Sequence, residues 1–88
     1  MEKHELKDEE FKKKFGYDSI VFDVQEPWEP AIAKKNGKAF HIDSTTGKQL
    51  YKKKFDWIGH FNNGSAIVRK NHEWFDIGKD GKIIPPKN

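Results

Sequence analysis

The stretch "AIAKKNGKAFHID" occupies residues 31–43, and "AIVRKNHEWFDIG" occupies residues 66–78, 35 positions later. Six residues recur in register: Ala, Ile, Lys, Asn, Phe and Ile. A repeat of this size is typical of a small structural unit that cannot bury its own apolar face and packs against a second copy. The chain of 88 residues therefore contains two copies of one structural unit.

Each copy predicts a β-hairpin. Asn36-Gly37 supplies the positive φ angles that a two-residue hairpin turn requires, and Asn71-His72 is the matching loop of the second copy. This register places small or β-branched residues opposite an aromatic residue and an isoleucine, which is a cross-strand core pattern. The residues predicted to share the inner face are Ala31, Ala33, Phe40 and Ile42 in the first copy, and Ala66, Val68, Phe75 and Ile77 in the second.

The opposite face of each hairpin differs between the copies. The second copy places Arg69 opposite Trp74, and Ile67 opposite Asp76. An outward Trp beside an Arg is either a cation–π pair that covers the sheet or a contact surface. The first copy places on this face Ile32, Lys34, Ala39 and His41.

The rest of the chain predicts one helix and more short strands. Residues 8–15 favour a helix, with Asp8 as N-cap, Phe11 and Phe15 on one face, and Gly16 after its end. Beyond it, turn dipeptides fall at intervals typical of an all-β unit. The predicted fold is mainly β: two repeated β-hairpin units form a twisted antiparallel sheet or a small open barrel, with a short N-terminal α-helix. We expect a single domain over 1–88, with repeat units at 17–50 and 55–86.

Composition limits the class of protein. Only 34% of the residues are apolar, but twelve aromatic residues can build a small core. The absence of Cys excludes disulfides and thiolate metal sites. Neither a signal peptide nor an apolar run long enough for a membrane span is present, which favours a cytoplasmic protein without a membrane partner. A homodimer would add the burial that so lean a chain lacks.

The second copy resembles the WG (or KWG) repeat of bacterial proteins. Its stretch "FDWIGHFNNGSAIVRKNHEWFDIGKDGKII" carries the aromatic-Asp start at Phe55-Asp56 and the Gly-Lys turn at Gly81-Lys82. The first copy, from Tyr17, is a more divergent unit with an insertion around "QEPWEP". The resemblance implies two repeated hairpin units that serve as an interaction scaffold, and it supplies no catalytic residue.

The residues give little support for an enzyme. No Ser stands in a nucleophile elbow, no pair of His has zinc-site spacing, and no Gly-rich loop suits a phosphate. His41 and Asp76 occupy equivalent positions in the copies and would form an acid–base pair only if the hairpins packed with two-fold symmetry. We therefore expect no catalysis, no metal and no cofactor.

The expected function is a non-catalytic binding or adaptor module for another macromolecule, with a protein as the first candidate partner. Trp and Arg are the usual anchors of binding hot spots. The alternative is a single-stranded nucleic-acid binder, since lysines interleave with aromatic residues and residues 31–88 carry a net charge of +7, from 12 basic and 5 acidic residues. The predicted binding face comprises Trp74, Arg69, Ile67, Lys34 and His41, with Trp57 and Trp28 in nearby loops. The lysines of the alternative are Lys52, Lys53, Lys54, Lys35 and Lys38.

Overall fold

The structure is a computed structural model that describes residues 3–85, with side chains from residue 7 onward. The elements are α1 (Lys3–Phe15), β1 (Ser19–Val21), β2 (Ala31–Lys35), β3 (Lys38–Ile42), β4 (Trp57–Ile58), β5 (Ala66–Lys70), β6 (Glu73–Ile77) and β7 (Ile83–Ile84). The predicted end of the second unit, Pro86, lies outside the described residues.

The strands form two antiparallel sheets, with the orders β1-β2-β3 and β4-β5-β6-β7, and neither sheet closes into a barrel. The sheets meet where Ala39 of β3 pairs with Phe55, just before β4. The two residues exchange both backbone hydrogen bonds, at 2.7 and 2.8 Å. The mainly β prediction is confirmed, with each repeat unit building its own sheet.

Both predicted hairpins are confirmed residue for residue. Ala33 pairs with Phe40 in the first sheet, and Val68 pairs with Phe75 in the second. Both residues of each loop adopt positive φ, at +54° and +79° in the first loop and +53° and +70° in the second. Two positive φ angles are the signature of a type I′ turn, whose twist matches that of the flanking strands.

An aspartate supports each hairpin loop. The backbone N–H of Asn36 donates to Asp18 at 2.9 Å, and that of Asn71 donates to Asp56 at 3.1 Å. Each aspartate follows a buried aromatic residue, Tyr17 in one unit and Phe55 in the other, and the pair runs antiparallel to the first strand of the hairpin. The aromatic-Asp dipeptide thus combines a core residue with a turn acceptor.

His72 is the strained position of the second loop, because its φ of +70° suits glycine far better than a residue with a Cβ. We expect His72→Gly to raise the free energy of unfolding by about 0.5–1 kcal/mol, since the strain is relieved and the hydrogen bond lost, to Arg69 at 3.3 Å, is exposed. Urea unfolding measures the change. The matched variant Asn71→Gly should gain less, because Asn tolerates this conformation. A His72→Gly protein no more stable than the parent would contradict this account.

The helix begins at Lys3, so the prediction of a start at Asp8 is wrong. Residues 3–7 contain neither Gly nor Pro, and nothing stops the helix from extending backwards; Asp8 lies inside it and pairs with Lys12 at 3.6 Å. Its docking face is confirmed, because Phe11 is buried and Phe15 stacks on Tyr17 with 5.4 Å between ring centroids. The helix therefore closes one end of the first sheet.

An aromatic ring covers a turn glycine in each unit. Phe11 lies so close to Gly47 that a Cβ there would come within 2.7 Å of its ring, and Tyr51 lies equally close to Gly81, at 2.6 Å. Both glycines adopt positive φ. Phe11 of the helix thus covers the turn of the first unit, and Tyr51, the residue that follows the first unit, covers the turn of the second.

Candidate binding face

The two hairpins present equivalent faces that are covered very differently. In the first sheet Ile32, Ala39 and His41 are 9%, 1% and 0% exposed. At the equivalent positions of the second sheet, Ile67 and Trp74 are 46% and 56% exposed, and Asp76 is exposed as well. The prediction that His41 faces outward is therefore wrong. The alternation of the strand places it on the predicted face, but the start of the second unit covers that face.

The covering segment comprises residues 51–61, which lead from the first sheet into the second. Phe55 pairs with Ala39 through the backbone, and its ring is 2% exposed. Phe61 places its ring 4.4 Å from that of His41, and Tyr51 packs edge-on against the same imidazole. This segment turns the polar face of the first hairpin into an internal interface.

The covering segment forms hydrogen bonds with both ring nitrogens and the backbone N–H of His41. Its Nδ1 lies 2.6 Å from the hydroxyl of Tyr51, and its Nε2 lies 2.7 Å from the carbonyl oxygen of Gly59. The backbone N–H of His41 donates to the same hydroxyl at 3.1 Å. Since a carbonyl only accepts, Nε2 carries the proton, and the Tyr51 hydroxyl donates to Nδ1. The neutral imidazole fits both partners.

Burial lowers the pKa of His41 to about 4, with the neighbouring His60 adding to the effect and the bond to Gly59 opposing it. Burial also raises the pKa of Tyr51 well above its usual value. Both groups are therefore uncharged at neutral pH. The acid–base pair that His41 and Asp76 would form under two-fold packing of the hairpins is absent, because both ring nitrogens of His41 are engaged by Tyr51 and Gly59.

The open face of the second sheet is built around Trp74. Its ring meets that of Trp57 edge-on, with 5.7 Å between centroids, and the guanidinium of Arg69 lies 5.7 Å from the ring centroid. Trp57 lies in β4, so the prediction that it sits in a loop is wrong. A groove of about 180 Å³ runs along this face. Its lining residues are Ile67, Trp74, Phe75, Asp76, Ile83 and Ile84.

The two faces differ in charge at two equivalent positions. Lys38 at the start of β3 forms an ion pair with Asp56 of the covering segment. The equivalent residue of β6 is Glu73, and the buried His41 is replaced by the exposed Asp76. Two acidic side chains therefore border the open face, at positions where the covered face carries a lysine and a neutral histidine.

The other predicted site residues lie away from this cluster or are already engaged. Lys34 belongs to the first sheet, and Trp28, at 71% exposure, lies in the loop between β1 and β2. Lys35 donates to the carbonyl of Phe15 at 3.3 Å. The structure brings together only Ile67, Arg69, Trp74 and Trp57.

The lysine run offers the nucleic-acid alternative only a short basic stretch. Lys52, Lys53 and Lys54 are all exposed, and the ammonium of Lys54 lies 5.9 Å from the ring centroid of Phe40. Phe40 itself is fully buried, so it offers no ring on which a base could stack. Lys38 is held by Asp56. A single strand would therefore combine the lysine run with the exposed rings of Trp57 and Trp74, which belong to the open face.

Comparison with protein-family models, with curated proteins and with solved structures finds no match to this chain. No group of three or more metal-binding side chains occurs in the part of the chain whose side chains are described. Within residues 3–85, no helix is long and apolar enough to cross a bilayer.

Sequence reasoning missed several residues that shape these faces. Tyr51 and Phe61 cover the first face, and Ile83 and Ile84 extend the second. When the two copies are aligned at an offset of 35 residues, the difference between their faces is visible in the sequence, because Lys38 aligns with Glu73 and His41 aligns with Asp76. What the alignment lacks is any sign that residues 51–61 lie across the first hairpin.

Proposed function

We propose that this protein is a non-catalytic binding module that recognises a partner protein through the open face of its second sheet. The supporting observation is a continuous set of large apolar side chains that stay 42–56% exposed, although the first sheet buries the equivalent face. A cluster that combines aromatic residues with an arginine is typical of a binding hot spot. The cluster comprises Trp57, Ile67, Arg69, Trp74, Ile83 and Ile84.

We also propose that the chain is a divergent pair of WG-type repeats. The support is the identical hairpin register at an offset of 35 residues, together with the equivalent roles of Asp18 and Asp56 at the hairpin loops. An interaction scaffold of this kind needs no reacting group.

Replacing Trp74 by alanine should weaken partner capture about thirtyfold, corresponding to the 2 kcal/mol or more that a hot-spot tryptophan contributes. The test is a quantitative pull-down from cell extract by wild type, Trp74→Ala and Trp28→Ala. Trp28 is the matched control, because it is equally large, is more exposed, and lies outside the cluster. Equal capture by all three proteins would contradict the proposed face.

Binding of labelled single-stranded oligonucleotides distinguishes a nucleic-acid partner from a protein partner. If the partner is a protein, we expect no salt-dependent binding of the oligonucleotides and no effect of Lys53→Ala on protein capture. A nucleic-acid binder would instead lose affinity for every sequence with each lysine removed, and its salt dependence would flatten. Micromolar binding with a steep salt slope would replace the protein partner with a nucleic acid.

A further inference from the structure

We propose that the partner is a second copy of this chain, and that the open faces of the two copies pack together with Arg69 of each copy opposite Asp76 of the other. This inference rests on the proposed function and names the partner of the same face. Two features of the face support it: the layout of its charges, and the lack of ion-pair partners for those charges within the described part of the chain.

Four outward side chains form a rectangle at the centre of the open face. Arg69 of β5 lies opposite Trp74 of β6, and Ile67 lies opposite Asp76. Successive outward residues of a strand are two positions apart, so Arg69 and Asp76 occupy one diagonal of the rectangle, and Trp74 and Ile67 occupy the other. The centre of the face therefore carries one positive and one negative charge, as a surface that binds a copy of itself requires.

Neither charge is paired within the part of the chain whose side chains are described. The ion pairs found there include neither Arg69 nor Asp76. The guanidinium of Arg69 lies 3.3 Å from Nδ1 of His72, and its Nε is buried without an acceptor. Asp56 is close enough to interact with Arg69 through space, but it is already paired with Lys38. A second copy that covers the face would supply both missing partners.

The charges select one way of joining two copies face to face. A two-fold axis through the centre of the rectangle, between the two sheets, can lie along the strands, across them or along a diagonal. An axis along or across the strands places the Asp76 carboxylate against Ile67 or Trp74 of the second copy, which buries a charge without a partner. An axis along the Arg69–Asp76 diagonal places like charges together. The axis along the other diagonal places each Arg69 opposite an Asp76.

The selected arrangement also pairs the apolar side chains. Trp74 and Ile67 lie on the axis, so each meets its own copy, while Trp57 and Ile84 extend the apolar surface on either side. The strands of the two sheets cross at a steep angle, as in orthogonal sheet packing. The backbone groups of β6 lie in the plane of the sheet, so the contact does not depend on the edge of that strand. Dimerisation would add the apolar burial that a chain with 34% apolar residues lacks.

Sedimentation equilibrium of the full chain tests the charge pairing with two single variants. Asp76→Arg and Arg69→Asp each replace two attractive pairs per dimer by two repulsive ones, so each should raise the dimer dissociation constant at least about thirtyfold. The matched control is Glu26→Arg, which makes the same change of charge as Asp76→Arg at an exposed residue of the loop between β1 and β2. This control should stay within about threefold of wild type, because Glu26 lies outside the face.

An equimolar mixture of the two face variants should restore the dimer. One chain then carries two acidic residues on its face and the other carries two basic residues, so both ion pairs form between unlike chains. We expect a dissociation constant within about threefold of the wild-type value. Rescue by mixing also distinguishes loss of the charge pair from loss of folding, since an unfolded variant would not be rescued. A wild-type protein that stays monomeric into the millimolar range, or a mixture as weak as the single variants, would overturn the inference.

The remaining outcomes separate this inference from the proposed function. If the wild type is monomeric but Trp74→Ala loses a partner in the pull-down, the binding face stands and self-association is overturned. If Trp74→Ala weakens a dimer that Asp76→Arg leaves unchanged, the face again stands and the charge pairing is overturned. If Trp74→Ala changes neither the dimer nor the capture, the proposed function itself fails.

Discussion

Replacement of Gly81 by alanine should lower the free energy of unfolding by about 3 kcal/mol, which is a large share of the stability of so small a domain. Two effects add. The φ of +82° is unfavourable for any residue with a Cβ, and that Cβ would lie 2.6 Å from the ring of Tyr51. Since Tyr51 also bonds to His41, the ring cannot move aside without disturbing the interface. Urea unfolding monitored by circular dichroism measures the loss.

Gly64 provides a matched control for the backbone effect. Its φ of +84° is nearly the same, but nothing lies within 4 Å of the Cβ that an alanine would add. Gly64→Ala should therefore cost only about 1 kcal/mol, from strain alone. The difference between the two variants isolates the contact with Tyr51. Equal losses at both glycines would contradict the packing of Tyr51 on this turn.

The domain should lose about 3 kcal/mol of stability between pH 6.5 and pH 4, because the pKa of His41 falls from 6.5 to about 4 on folding. The sign follows from proton binding. As the pH falls below 6.5, the unfolded chain binds a proton at His41 that the folded protein does not, so the free energy of unfolding decreases. Each pH unit in this range contributes up to about 1.4 kcal/mol. Urea midpoints at a series of pH values give the profile.

His41→Gln is the control for this profile. The variant starts less stable, because it loses the bonds to Tyr51 and Gly59, but its stability should fall much less between pH 6.5 and 4. Asp43 acts in a different pH range. The backbone N–H groups of Thr46 and Thr45 hold the pKa of Asp43 below 3.8, so its contribution is lost only at more acidic pH. An equally steep loss in His41→Gln would show that another group is responsible.

The hairpins could be predicted from the sequence because their information is local. The loops Asn36-Gly37 and Asn71-His72 fix the register, and the two-residue alternation then decides which residues share a face. The helix was found through Phe11 and Phe15, which dock as expected, but its first turn carries no strong start signal. Helix ends are set by small local preferences, so the helix begins at Lys3 and the predicted start at Asp8 lies inside it.

The covering of each face could not be predicted because it depends on contacts distant in the sequence. His41 and Asp76 are equivalent in the hairpin pattern, yet one is buried and the other exposed. Alternation shows that a residue points to a given side of a sheet, and it does not show what lies on that side. Residues 51–54 fall between the two predicted repeat units, and the overlooked clue was the pair of aromatic residues that flank the lysines, Tyr51 and Phe55, which are both buried.

Amide hydrogen exchange of the free protein, followed by NMR, tests most directly the claim that one face is closed and its equivalent is open. The N–H of Ala39 is bonded to Phe55, whereas none of residues 3–85 pairs with Trp74 on the equivalent edge of β6. We predict that Ala39 exchanges at least about a hundredfold more slowly than Trp74, which should exchange at close to the rate of an exposed amide. Equal protection at the two positions would show that the β6 edge is already covered, and would contradict the open face.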